Sequence, residues 1–219
     1  VSRLFKKYLL PLIKNKDINL IRFEKIKNII NYKLSTRVLN CFFAALDQAI
    51  WDIKGKILKE PIYSILNKKL KKNNPIDLYA SGGMIYDDQP YNYLLDEALK
   101  YKELGFKGYK FRPPISRKQL SHFKRNQNPP SFDTKKLTKA CLYLRDRLGS
   151  DFKLMLDTGC RISLDRDFRY ISDCLTELNF LFLEEPFKRK IELYKKNRRS
   201  KKIKIAAGED LQIKKDFVS

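Results

Sequence analysis

The chain has 219 residues, of which 43% are hydrophobic and 12% aromatic, and a formal net charge of +22. That length allows one or two domains around a real core, and no apolar run approaches the ~18 residues of a membrane-spanning helix. The four cysteines, Cys41, Cys141, Cys160 and Cys174, form no C-x-x-C pair, which excludes a simple zinc or disulfide frame and reads as the reduced thiols of a cytoplasmic protein.

The charge raises nucleic-acid binding as a possibility. Lys and Arg are spread along the whole chain, however, and the dense clusters at 68–72 and 198–202 lie beside expected helix ends, where cations complement the macrodipole. No specific nucleic-acid or membrane partner is expected. The apolar piece at 8–13 is too short for a signal peptide and carries no cleavage pattern.

Residues 1–34 alternate basic and apolar positions, with helices expected around 1–10 and 18–31. A long helix is predicted over 34–54, because Val38, Phe42, Ala45, Leu46, Ala49, Ile50 and Ile53 recur at helical spacing, with Gly55 as its stop. A short helix follows over 62–67, opened by Pro61 in its first turn. The polar stretch 71–75 reads as a linker, dividing a domain at 1–72 from one at 73–219.

Beyond the linker, short apolar runs alternate with helix-length segments, the pattern of successive βα units in a parallel sheet. The first strand is expected over 76–80, followed by the turn Ser81-Gly82-Gly83, around which no P-loop or dinucleotide fingerprint is found. An amphipathic helix over 91–104 ends at Gly105. The second strand, 106–112, carries Lys110 and Arg112, which share a face because they are two apart. Residues 113–130 are basic, contain four prolines and read as an irregular surface loop. The single His122 sits there, poorly placed for a Ser-His-Asp arrangement.

Asp133 is predicted to cap the next helix, with Phe132 stapled against Leu137, and Gly149 to end it. The third strand, 152–156, closes on Asp157. Arg161 follows, in reach of a substrate or of a loop salt bridge, and Ser163 is expected to cap a helix ending near Leu178. The fourth strand, 180–183, closes on Glu184 of Glu184-Glu185-Pro186. A charged helix over 188–198 leads to a fifth strand run, 203–208, which closes on Glu209.

Each acid alone is an ordinary helix cap or solvent-facing group. Together, Asp157, Glu184 and Glu209 end successive strands, 27 and 25 positions apart, one βα repeat each time. In a closed barrel all three converge at the C-terminal rim, where such barrels keep their active sites. Convergent acidic oxygens suit a hard cation such as Mg²⁺; without it they repel one another.

On these residues the chain resembles the mandelate racemase and muconate lactonizing enzyme branch of the enolase superfamily. In that family an Asp, the Glu of an EEP-type turn and the Glu of a GE[DN]-type turn end the third, fourth and fifth barrel strands and bind Mg²⁺. Asp157, Glu184 and Glu209 match those positions one by one. Residues 44–56 and 61–66 resemble the helical part of the family's capping domain, where Asp47, Trp51 and Asp52 read as packing and salt links. The resemblance implies an α/β fold: an incomplete (β/α)8 TIM-type barrel of about five strands, preceded by helices of an α+β capping domain. The family's last three strands and the first strands of its cap have no counterpart, so a truncated member is expected.

The chemistry implied is Mg²⁺-dependent abstraction of the α-proton of a small carboxylate substrate by way of an ene-diolate. Lys110 and Arg112 fall on the family's KxK position as the catalytic residues, with Arg112 in place of the usual Lys. Arg is a poor proton acceptor but a good clamp for a carboxylate, which leaves Lys110 as the base. Dehydration of a sugar acid is therefore expected ahead of two-base racemisation. The alternatives are a racemase, epimerase or cycloisomerase of the same family, and an inactive fragment. The family is commonly oligomeric, and a homo-oligomer is expected of the full-length protein.

Overall fold

The computed structural model describes residues 3, 6–7, 10–17, 36–69, 75–118, 132–188, 191–198 and 203–211. The helix expected over 18–31, most of the one expected over 1–10, His122 and residues 119–130 of the basic loop lie outside the described residues. The chain groups into two compact units, one of Val1–Pro75 with Asp210–Ser219 and one of Ile76–Glu209.

In the first unit a single helical turn spans Leu10–Ile13. The long helix is Thr36–Leu58 and passes through Gly55 instead of stopping there. The chain turns at Lys59, with φ 53°, and the Glu60 N–H returns to the Gly55 carbonyl at 3.0 Å. A Cβ on Gly55 would lie 3.0 Å from the Glu60 carbonyl oxygen. Glycine there serves a close backbone approach, not a left-handed stop. The next helix is Ile62–Leu66, with Pro61 one position earlier than expected, as N-cap in an extended conformation.

The second unit alternates strands and helices: β1 (Tyr79–Ser81), α1 (Asn92–Glu103), β2 (Gly108–Phe111), α2 (Thr134–Leu148), β3 (Lys153–Asp157), α3 (Asp165–Glu177), β4 (Phe182–Glu184), α4 (Ile191–Arg198) and β5 (Ile205–Ala206). The five strands form one sheet in chain order, every neighbouring pair parallel. Parallel neighbours need a crossover, and each helix supplies one. Among the described residues β1 and β5 are open edges, so this is an incomplete (β/α)8 barrel. β1 starts later than its apolar run, and Ile76 and Leu78 are left exposed.

Alternation along the strands sorts the side chains into two layers. Tyr109, Phe111, Leu154, Leu156 and Leu183 are buried with Leu94 and Ala98 of α1, Leu137, Ala140 and Leu144 of α2, and Phe168, Ile171 and Leu175 of α3. Each large side chain so buried contributes about 1.5–3 kcal/mol. The residues between them point the other way and stack in register. Lys110, Met155 and Phe182 make one row, and Asp157, Glu184 and Ala206 make a row closer to the C-terminal ends.

Two caps separate the cases that local chemistry decides. Asp133 caps α2 by accepting the N–H groups of Lys135 and Lys136 at 2.9 and 3.1 Å, and Gly149 follows the helix with φ 78°. Before α3 the N-cap position is Leu164, not Ser163, and no side chain caps it. Asp165 and Asp167 in its first turn complement the helix dipole instead. The basic loop is less irregular at its start than expected. Ile115 bridges Tyr86 in parallel fashion, donating to the Ile85 carbonyl and accepting from Asp87 N–H, both at 3.0 Å. Pro113 and Pro114 favour the extended backbone that this bridge needs. Among the described residues no helix is long and apolar enough to cross a membrane.

Candidate active site at the strand ends

Four of the five expected site residues meet at the C-terminal ends of β2, β3 and β4. Asp157 and Glu184 are register partners on adjacent strands, so their side chains leave the same face at the same level. Lys110 reaches up from the row below and donates to both Glu184 oxygens at 2.6 and 2.7 Å. Arg112, one residue beyond β2, donates through Nε and Nη2 to Asp157 Oδ2 at 2.9 and 2.7 Å. Asp157 Oδ1 accepts the Gly159 N–H at 2.9 Å. Asp157 is almost wholly buried, and burying a carboxylate is costly unless its oxygens are paired in this way. The two pairs share a cause: a two-residue step along β2 sets two cations opposite two acids that neighbouring strands present in register.

Glu209 is placed differently. It is exposed, in the turn after β5. Among the described residues no three His, Cys, Asp or Glu side chains lie close enough together to hold a metal ion. The backbone at Glu209 is nevertheless tied to the site. Glu185 accepts the N–H groups of Gly208 and of Glu209, the second at 2.9 Å. Its other oxygen faces the Cys160 thiol at 3.5 Å and the Tyr194 hydroxyl at 3.1 Å, whose one proton is shared with the Phe187 carbonyl at 2.8 Å. Burial, then the Glu185 charge, pushes the Tyr194 hydroxyl well above its ordinary pKa. Sequence reasoning passed over Glu185. The signal available was its place directly after Glu184 at a strand end, where consecutive side chains face opposite ways.

Among the described residues Arg161 hydrogen-bonds to carbonyls and not to a carboxylate. Its Nε donates to the Thr158 carbonyl at 2.9 Å and Nη2 to the Pro113 carbonyl at 3.2 Å, joining the loops after β3 and β2. Its Nη1 is buried without a partner. Burial, with Arg112 nearby, lowers its pKa to about 10. On the other side of the site, Glu97 of α1 accepts the Gly83 N–H at 2.7 Å and the Tyr109 hydroxyl, and Gly83 in turn accepts the Arg112 N–H at 3.3 Å. Gly83, just after β1, is thus tied both to α1 and to the backbone of Arg112.

The donor set is all oxygen and all carboxylate, the chemistry that a hard divalent cation prefers. Asp157 and Glu184 already occupy neighbouring positions, each neutralised by a protein cation of the same sign as the ion. In that respect the residues fit Mg²⁺.

The family model described as enolase C-terminal domain-like matches residues 93–219. The chain belongs to this family. Within it the resemblance is to the mandelate racemase and muconate lactonizing enzyme branch. A D-galactonate dehydratase family member from Enterococcus gallinarum is 25% identical over 211 residues, 93% of this chain and 51% of that protein. The arabinonate dehydratase of Saccharolobus solfataricus is 28% identical over 186 residues, 83% of this chain and 44% of the relative. A racemase from Streptomyces coelicolor, solved with bound magnesium, has the same fold at TM-score 0.73 and 23% identity, over 99% of this chain and 59% of its own. The chain spans about half the length of the curated relatives it matches.

Proposed function

We propose that this enolase-family chain carries the proton-abstracting and Mg²⁺-holding part of a lyase that dehydrates a sugar acid. The observation that carries the reading is the juxtaposition of Lys110 and Arg112 with Asp157 and Glu184 on one face at the strand ends. The names of the relatives, a D-galactonate dehydratase family member and an arabinonate dehydratase, support the reaction class.

Asp157, Glu184 and Glu209 would hold the ion. When bound, Mg²⁺ supplies Lewis-acid stabilisation of the charge that develops on a carboxylate substrate. Arg112 binds and orients that carboxylate, since its planar fork stays charged and matches two oxygens. Lys110 is the group that moves the α-proton. While Glu184 holds it as an ammonium it can only donate. To accept one it must first give up its own proton. A guanidinium offers hydrogen-bond donors and no acceptor, so Lys110 is the one base that β2 brings to the α-carbon. One-base chemistry suits loss of a β-hydroxyl better than inversion. Arg161 and Gly83 hold the two loops that border Arg112.

The test is a panel of sugar acids incubated with MgCl₂, scored for the 2-keto-3-deoxy acid and for solvent deuterium at Cα. Keto-acid formation that Lys110→Met and Asp157→Ala abolish supports dehydration. Exchange or epimerisation without loss of water makes the protein a racemase or epimerase. The second reading, a non-catalytic piece, is favoured by the exposed Glu209. Absence of both product and Mg²⁺ binding would select it.

A further inference from the structure

We propose that Glu185 is the positioning residue for the third acid: its carboxylate fixes the turn that carries Glu209, and through that turn it sets the affinity for Mg²⁺. This rests on the Mg²⁺ reading above. Glu185 is 6% exposed. A buried carboxylate is costly unless its lone pairs are filled. Here neutral donors from three separate segments fill them. Gly208 and Glu209 N–H serve Oε1 from the turn after β5. The Tyr194 hydroxyl of α4 and the Cys160 thiol of the loop after β3 face Oε2. The Glu185 backbone adds to this, because its carbonyl accepts Cys160 N–H at 2.6 Å and the Thr158 hydroxyl at 3.0 Å. Glu185 itself sits at φ 43°, in the left-handed region that a side-chain-bearing residue enters only when its surroundings enforce it.

The geometry explains why this acid and not its neighbour does the work. At the end of β4 successive side chains diverge, so Glu184 meets Lys110 while Glu185 turns toward α4 and β5. Gly208 adopts φ 123°, which glycine enters about as readily as negative φ, so its own backbone preference does not single out this turn and the bonds it makes help to set it. Glu209 is exposed, and Glu185 holds the backbone of its turn through two N–H groups. A ligand whose backbone is already set gives up only side-chain freedom when it grips the ion.

The experiment is calorimetric titration of the 219-residue chain with MgCl₂, on the wild type, Glu185→Ala, Glu185→Gln, Glu209→Gln, Asp157→Ala and the double variant Glu185→Ala/Glu209→Gln. Loss of a group that orients a metal ligand weakens affinity by about 10–100-fold. Glu185→Ala is expected to lose at least about tenfold. Glu185→Gln keeps an oxygen for both N–H groups and is expected to stay within about threefold, reflecting only the weaker neutral bonds. In the Glu209→Gln background Glu185→Ala should change affinity little further, because both act through one ligand. Wild-type affinity in Glu185→Ala overturns the proposal. So does full additivity in the double variant, which would mark Glu185 as a general stabiliser. Should Glu185→Ala not fold, amide exchange on the wild type decides. Protected Gly208 and Glu209 amides that slow further with Mg²⁺ support the proposal, and unprotected ones overturn it. If Asp157→Ala also binds Mg²⁺ as the wild type does, the metal reading falls and takes this with it. If Asp157→Ala loses binding while Glu185→Ala does not, only this proposal falls.

Discussion

Lys110→Met removes the cation from the Glu184 pair while keeping the length of the side chain. The pair is short, 2.6 and 2.7 Å to the two carboxylate oxygens, and its side chains are 11% and 20% exposed. Deleting one partner of a buried pair typically costs 3–5 kcal/mol, because the other charge is left behind. Some solvent reaches both groups here, so the lower end applies, about 3 kcal/mol. For a chain of this size that corresponds to a fall in Tm of roughly 6–12 °C. The same change should strengthen the response to Mg²⁺. In the wild type the ion competes with Lys110 for Glu184; in the variant it meets an uncompensated carboxylate. Mg²⁺ at 100 times its Kd stabilises by about 2.7 kcal/mol, and the variant reaches that condition at a lower concentration. Thermal melts followed by circular dichroism in EDTA and across a MgCl₂ series measure both effects. The variant should melt lower in EDTA and converge on the wild type as Mg²⁺ rises. An unchanged Tm in EDTA would show that the ion pair does not contribute. Equal Mg²⁺ responses in both proteins would show that Glu184 is not a ligand.

Arg145 donates to four backbone carbonyls, those of Leu178, Gly149, Phe152 and Asn179, at 2.7, 2.5, 2.8 and 3.0 Å, where α2 and α3 end. Arg145→Met should cost about 3 kcal/mol in urea unfolding, since a charged donor is lost and part-buried acceptors are stranded; a loss below about 1 kcal/mol would mean water replaces it freely. Gly83 has φ 67°, and a Cβ there would lie 2.3 Å from Phe111 Cβ and 2.7 Å from the Tyr109 hydroxyl oxygen. Gly83→Ala should therefore destabilise by at least about 2 kcal/mol and loosen the loop beside Arg112, seen as a lower Tm and faster proteolysis. Burial, then Glu97, raises the Tyr109 pKa, and burial, then Glu185, raises that of Tyr194. For groups whose folded pKa is raised, the associated stability is complete below the ordinary value of about 10 and is lost as pH climbs beyond it. Stability should fall above pH ~10, less steeply in Tyr109→Phe. Phenolate absorbance should show both tyrosines ionising only as the chain unfolds; their ionisation near the ordinary value in a folded chain would refute this.

The parts of this protein that local rules govern could be read from the chain alone. The βα alternation followed from apolar runs and helical spacing, and Asp157 and Glu184 stood at strand ends because each run stopped there. Asp133 and Gly149 bounded α2, since a capping carboxylate and a left-handed glycine act on their own neighbours. Local signals misled where something distant had the stronger claim. Gly55 looked like a helix stop but exists for the Glu60 carbonyl, and Ser163 looked like a cap that α3 does not use. Register was beyond any local rule. Lys110 finds Glu184 across 74 positions and Arg112 finds Asp157 across 45, because parallel pairing sets the strand ends level. Glu185 shows the same limit: the loop after β3 and the turn after β5, which donate to its carboxylate, lie 23 to 25 positions away and meet it only because the strands lie side by side. Patterns along a chain report which face a residue takes, but which charge it meets there depends on where other strands return.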